Sequence, residues 1–542
     1  MYGFRCMAVL RALYFLCAVL SAIPGIFGIK RSDTLYSIVS TAILCGIKSV
    51  PVCVEADVGD GMPVFEMVGF LASEVKEAKE RVRTALRNVG YPLPPKRITV
   101  NFAPADIRKS GSGFDLPVAV AILSALGNIP ADALSGVFVI GEIGLKGDVQ
   151  PVHGVLPMVA EAKERGISRC IVPAANRREA GLIADMQVYG ARSVGEVIRL
   201  LTGGWSETED YNIEETAMEK ERLDFADIHG QRLLKRACEV AVAGMHNLLL
   251  IGPPGAGKTM TAMRIPSILP PMSEEEQMEL TKVYSVGGLL AEGSGLVGER
   301  PFRAPHHTIS MQGLTGGGRI PKPGEISFAH KGVLFLDELP EFQKETLEVL
   351  RQPLEEKCVR LVRLQGTFEY PADFMLVAAM NPCRCGYYPD MQKCSCTQTA
   401  VSRYLERVSR PLLNRIDICV EAPQLTFREL TENGREEPSA VIRERVVAAQ
   451  KIQRERYSGE TFSCNSRIPA ARIREFCGLS KKQEDYMEQI YARLGLTARS
   501  YHKLLKVART LADMDGGGRI ENRHLNEAIC YRSLDKKFWE RP

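Results

Sequence analysis

Two regimes of hydrophobic spacing divide the chain. Over residues 35–202 short apolar runs alternate with segments of helical periodicity. ITVNFAP (98–104) and GVFVIGE (136–142) read as strands, and ASEVKEAKERVRTALRNVG (72–90) as an amphipathic helix closed by Gly90. Residues 203–224 turn acidic and lose large apolar side chains, the composition of a linker. From Phe225 the alternation resumes with three near-continuous apolar runs, NLLLIG, GVLFLDE and FMLVAAM, as strands of a buried parallel sheet require. Beyond about Pro423 helices take over, with SAVIRERVVAAQKIQRERY and SYHKLLKVARTLADM the clearest. The pattern predicts an α/β chain: a first domain over 35–202, a parallel-sheet domain over 225–423 and a helical domain over 424–542.

The strand NLLLI runs into Gly252-Pro253-Pro254-Gly255-Ala256-Gly257-Lys258-Thr259, followed by a helical stretch. That is the context in which G-x-x-x-x-G-K-[ST] cradles phosphates. Glycines let backbone N–H groups face the anion, Lys258 reaches the outer phosphates, and the Thr259 hydroxyl ligates Mg²⁺. A second apolar strand ends in Asp337 and Glu338. Asp337 suits the Mg²⁺ shell and Glu338 a general base that polarises water. Asn381 ends the third strand, where its amide can orient that water or simply open a turn before Pro382. Arg415 precedes the strand ICVEA and is expected to reach a neighbouring subunit's γ-phosphate. Arg499, opening a helix, is expected to reach the phosphate in cis. A surface salt bridge is the alternative for each arginine taken alone.

Bulk composition changes little. The 542 residues are too many for one core, and 45% hydrophobic with 25% charged residues is ordinary for a globular protein. A net charge of +4 means that any nucleic-acid site is a local basic surface. Most of the fifteen cysteines stand singly in apolar runs, as buried thiols do. CRCGYYPDMQKCSC differs: Cys383, Cys385, Cys394 and Cys396 are spaced either to wrap one Zn²⁺ or to stand as four free thiols in a loop. Tyr387 and Tyr388 between the pairs either stack on bases or pack locally. The first 34 residues carry Arg5, Arg11 and an apolar run from Ala12 to Ile23, resembling a signal peptide too short for a comfortable membrane span. An ATPase of the cytoplasm has no use for export, so the native chain is expected to begin near Leu35.

The order of these motifs resembles the AAA+ ATPases. FRAPHHTISMQGLTGGGRIPKPGEISFAHKGVLFLDELPEF, NPCRCGYY and SRPLLNRID, with LYSIV, KEAKERVRTAL, ITVNFAPAD and FDLPVAVAIL upstream, are similar to the magnesium-chelatase-like YifB/ComM family over about residues 35–535. The resemblance implies a Lon-protease-like α+β domain, an AAA+ P-loop domain and a helical magnesium-chelatase-type domain. It further implies a homo-hexameric ring, ATP with Mg²⁺, and branch migration of DNA in natural transformation. It also implies that part of the insert over 272–330 projects into the ring's pore. GGGRIPKPG (316–324) then offers Arg319 and Lys322 either to a phosphate backbone or to solvent.

His306 and His307 are candidate phosphate or backbone contacts; they lack the acidic or cysteine neighbours of a metal site and are not expected to bind metal. The Lon serine aligns on Gly113 and its lysine on Leu156, so no protease activity is expected. Two other readings are a chelatase-type motor remodelling a protein or tetrapyrrole partner, and a ring that binds nucleotide without hydrolysis. The Lon-like domain and the lack of a D-x-S-x-S metal domain weigh against the first, and intact Glu338, Asn381 and Arg415 against the second.

Overall fold

The computed structural model describes residues 35–205, 223–291, 294–363, 366–424 and 436–539. The leader-like segment 1–34 and nearly all of the linker therefore lie outside the described residues.

The N-terminal body is a mixed sheet of β1 (Leu35–Cys45), β2 (Lys48–Gly59), β3 (Val64–Val68), β4 (Arg97–Ala103), β5 (Val137–Val139), β6 (Arg169–Pro173) and β7 (Gln187–Ala191), in the order β3-β4-β2-β1-β5-β6-β7. Helix α1 (Ser73–Asn88) presents Val75, Ala78, Val82, Ala85 and Leu86 to the core, the one-faced burial its periodicity predicts. Helix α2 (Asp115–Ala125) is apolar on all sides and buried throughout. Its one carboxylate, Asp115, is held by Arg81 at 2.7 and 2.9 Å.

The second body opens with α4 (Arg232–Gly244), after α3 (Val155–Glu164) of the first. Its strands β8 (Leu248–Ile251), β9 (Phe302–Arg303), β10 (Val333–Leu336), β11 (Met375–Met380) and β12 (Ile418–Glu421) pair in parallel in the order β9-β10-β11-β8-β12. Every residue of β8, β10 and β11 is buried, which explains why all three read as unbroken apolar runs. Two helices follow from this sheet, α5 (Lys258–Ile268) directly after the phosphate-loop motif and α6 (Glu274–Gly287).

The C-terminal region is helical: α7 (Ser439–Arg456), α8 (Lys481–Leu494), α9 (Ala498–Met514) and α10 (Asn522–Trp539). Its inner face shares one core with α4 and the sheet, through Leu504, Val507, Ala508 and Leu511 of α9. Polar staples fix it to the sheet's N-terminal edge. Lys503 lies 2.7 Å from Asp417, Asp417 accepts the Asn247 N–H at 3.1 Å, and Arg532 donates to the Ile416 carbonyl at 2.8 Å. Among the described residues no helix is long and apolar enough to cross a membrane.

Burial alone would push the Asp417 carboxyl up, but Lys503 and His246 outweigh it and hold the group below the usual carboxylate range. A depressed folded pKa stabilises the fold above the unfolded value and is lost as pH falls through the folded one. Asp417→Ala strands Lys503 in a buried site. We expect a loss of about 3–5 kcal/mol in chemical denaturation at neutral pH, and a difference from wild type that shrinks in strong acid.

Candidate nucleotide site and its surroundings

The sheet order sets the geometry. The loops after β8, β11 and β10 emerge side by side at the C-terminal edge of the sheet, and these loops carry Lys258, Asn381 and Asp337. Gly255 and Gly257 have φ of +77° and +78°, the left-handed region that glycine adopts without strain. A Cβ on Gly252 would sit 2.3 Å from the Ala422 carbonyl oxygen, so the loop lies directly against the chain leaving β12.

Lys258 donates to the carbonyls of Gly252 (2.8 Å) and Pro253 (2.9 Å) and to Asn381 Oδ1 (3.0 Å). An ammonium has three hydrogens, and all three are engaged. Burial lowers its pKa, opposed by the charges of Asp337 and Glu338. The Thr259 hydroxyl donates to Asp337 at 2.6 Å, and Asp337 accepts the backbone N–H of Glu338 at 2.8 Å. Oxygen donors from Thr259 and Asp337 thus converge beside the loop, the hard-ligand chemistry Mg²⁺ takes. Glu338 is the first residue past the Asp337 hinge and has φ of +51°, a strained backbone for a residue with a Cβ.

Sequence reasoning missed three features here. His307 Nδ1 stands 3.4 Å from Glu338 Oε2, and its ring packs on His306 at 4.1 Å. The pair follows β9, which adjoins β10, so only strand order reveals the contact. Gln231, also left-handed at φ of +49°, donates to the Pro423 carbonyl at 2.7 Å and the Ala256 carbonyl at 3.3 Å, bracing the phosphate loop from below. A hairpin with strands 358–363 and 366–371 lies in sequence between the Asp-Glu strand and β11. Its Arg363 reaches within 3.6 Å of where a Gly317 Cβ would stand, beside the first hairpin, in which 316–317 pair with 322–323.

The two arginines lie elsewhere. Arg415 precedes β12, at the sheet's N-terminal edge, and pairs with Glu355 at 2.7 Å. Arg499 lies 3.8 Å from the same Glu355. Strand β8 separates this edge from the phosphate loop, so within one chain Arg499 sits with Arg415 and not with Lys258. Packing of the helical region against the N-terminal edge carries the start of α9 to that side. A cavity of about 1060 Å³ opens there, lined by Arg415, Arg499, Lys357, Arg467, Lys503 and Lys506 among others.

The hairpin arginine Arg319 pairs with Glu74 of α1 at 3.6 Å, and Ile47 of the β1–β2 turn donates to Glu369 of the second hairpin at 3.4 Å. The N-terminal body therefore touches both hairpins. Around the Lon-like positions, Ser112 hydrogen-bonds Glu142, and a Cβ on Gly113 would press on Ile140 at 3.2 Å. Leu156 is fully buried, and the Gly154 N–H two residues earlier donates to Ser285 of α6 at 3.1 Å. Glu179 accepts the Leu156 N–H at 3.0 Å and the Ser285 hydroxyl.

The four cysteines of 383–396 converge, their sulfurs all within 4.8 Å of one another.

Comparison with known proteins agrees with this architecture. The magnesium chelatase subunit ChlI family model matches residues 224–430, a second ChlI model residues 54–176 and the ChlI C-terminal model residues 436–532. Competence protein ComM of Haemophilus influenzae is 41% identical over 505 residues, covering 92% of this chain and 97% of that one. Uncharacterized protein YifB of Escherichia coli is 41% identical over 504 residues with the same coverage. Lon protease 2 of Bacillus subtilis is 31% identical over 144 residues, 26% of each chain. A Lon-like α+β body, a P-loop parallel sheet of AAA+ type and a helical C-terminal region, matched along nearly their whole length by the ComM and YifB proteins, make this chain a member of the magnesium-chelatase-like ComM/YifB family of AAA+ ATPases.

Proposed function

We propose that the chain is an ATP-hydrolysing motor that assembles as a homo-hexameric ring in the cytoplasm and moves branched or single-stranded DNA, with branch migration in recombination as its work. The observation that carries the nucleotide chemistry is the linked set Asn381–Lys258 and Thr259–Asp337 beside Glu338. When ATP binds, its phosphates exchange with the Gly252 and Pro253 carbonyls for the Lys258 donors. Thr259 and Asp337 would hold Mg²⁺, which would supply positive charge against the phosphates. Asn381 orients water and Glu338 takes its proton, with His307 positioning the Glu338 carboxylate.

Arg415 and Arg499, both at the edge opposite the phosphate loop, serve the neighbouring protomer's nucleotide in this reading. The two edges of one chain carry different chemistry, as the two sides of a head-to-tail contact do. The two adjacent hairpins supply Arg319, Lys322, Arg360 and Arg363 to a phosphate backbone. Among the described residues Lys322 and Arg363 make no ion pair, so they meet DNA without breaking one. Loss of the serine and lysine positions at Gly113 and Leu156, together with use of that region to dock α6, supports a Lon-like body that braces the motor and does not cleave peptides.

Glu338→Gln is expected to bind ATP and assemble but to lose turnover by about 10²–10⁴-fold, while Lys258→Ala loses nucleotide binding; normal turnover by Glu338→Gln overturns the base assignment. Purified protein beginning at Leu35 after an initiating Met should branch-migrate a synthetic four-way junction with ATP, and the Glu338→Gln variant should not. An ATPase-active hexamer without migration shifts the reading to a remodeller of a protein or tetrapyrrole partner.

Mixing inactive Glu338→Gln with inactive Arg415→Ala chains should restore ATPase, because some interfaces then combine an intact base with an intact arginine. No recovery in mixed rings overturns the shared site. Lys322→Ala with Arg363→Ala should lower DNA affinity and flatten its salt dependence by roughly two counterions, leaving DNA-independent ATPase unchanged.

A further inference from the structure

Residues 381–397 form a long connection with neither helix nor strand, yet it lies directly against the phosphate loop. A loop of this length inside a compact domain needs something to hold its shape. Cys383 is fully buried and Cys394 nearly so, while Cys385 and Cys396 are half-buried. Cys383 Sγ lies 3.3 Å from Cys385 Sγ and 3.8 Å from Cys394 Sγ, and Cys385 and Cys394 are 3.5 Å apart. A tetrahedral ion with metal–sulfur bonds of about 2.3 Å sets its ligand sulfurs roughly 3.8 Å apart. An iron–sulfur cluster, whose own core atoms intervene, needs them wider. The Tyr388 N–H points at Cys383 Sγ at 3.4 Å, a donor suited to a thiolate acceptor.

The turn between the first two cysteines carries the consequence. Gly386, with φ of +89°, packs so closely on the phosphate loop that a Cβ would stand 2.3 Å from Pro254 Cδ. Cys383 follows Asn381 by only two residues, and Asn381 holds Lys258. The last turn of α10 closes the outer side, with Phe538 6.4 Å from Tyr388 and Trp539 donating to the Leu405 carbonyl.

We propose that Cys383, Cys385, Cys394 and Cys396 bind one structural Zn²⁺, and that this ion locks the loop that presses Gly386 onto Pro254 and presents Asn381 to Lys258. The zinc is thus a positioning element for the nucleotide site and takes no part in the chemistry. Binding it displaces protons from the thiols and requires no oxidant. The coupling half of the inference rests on the nucleotide reading above, whereas the metal half does not.

The test uses the full chain, purified under reducing conditions without chelator. Elemental analysis should find one zinc per chain, lost in Cys385→Ser with Cys394→Ser. Exchange for Co²⁺ should give the charge-transfer and d–d bands of a tetrahedral tetrathiolate site. A metal-free protein with four reactive thiols, or iron as the resident ion, overturns the zinc site. Because the cysteine variants can fail by unfolding, Gly386→Ala tests the coupling separately. It should keep its zinc while its affinity for a fluorescent ATP analogue falls by about tenfold, the scale of one lost hydrogen bond to a charged group. Zinc retained with unchanged affinity overturns the coupling and leaves the metal site standing.

Discussion

The position of β11 between β8 and β10 is the constraint on which the rest of the site depends. Strands that are far apart in sequence become neighbours, and the residues following each meet at one edge of the sheet. The Lys258–Asn381 and Thr259–Asp337 hydrogen bonds are the products of that interleaving. Neither is available to the phosphate loop alone, and neither survives a change in strand order. The left-handed backbone at Glu338 is the local strain that accompanies it, placed where a carboxylate must turn out of a buried strand.

The same parallel sheet has two chemically different edges. Its C-terminal edge gathers N–H groups, a lysine and carboxylates. Its N-terminal edge gathers Arg415, Arg499, Lys503 and the buried Asp417, fastened to the helical region. Such polarity is intrinsic to parallel strands, because every βα loop leaves on one side. It gives one chain a face that can hold a nucleotide and another face rich in cations, without any duplication of sequence.

The N-terminal body uses its Lon-like segments as packing surfaces. Where a Lon-type nucleophile would stand, Gly113 packs on Ile140, and where a lysine would stand, Leu156 is buried. The backbone of that segment now bonds α6 through Ser285, with Glu179 as the shared acceptor. The body also reaches both hairpins, through Glu74 and the β1–β2 turn. Its contacts reach from α6 to both hairpins of the P-loop domain.

How much was legible in the sequence follows from the range of the interactions. Burial on both faces forces unbroken apolar strands, so β8, β10 and β11 could be read directly. The glycine spacing of the phosphate loop reflects local backbone demands, and the alternation of α1 reflects one buried face. Each of these is written within a few turns or strands of chain. His307 beside Glu338, Gln231 beneath Ala256, and Arg363 beside Gly317 join residues whose proximity depends on strand order, and no periodicity encodes it. Arg499 shows the same limit in reverse. Its place at the start of a helix is legible, but the side of the sheet on which it lies is decided by how α9 packs, through Lys503 and Asp417. The four cysteines lie between: their spacing announces a cluster, and only the folded loop brings their sulfurs within reach of one ion and sets Gly386 against Pro254. The sequence by itself determined the elements and the residue types of the site, because those obey local rules. Tertiary structure alone decided which residues meet, because adjacency in a parallel sheet is a property of the whole chain.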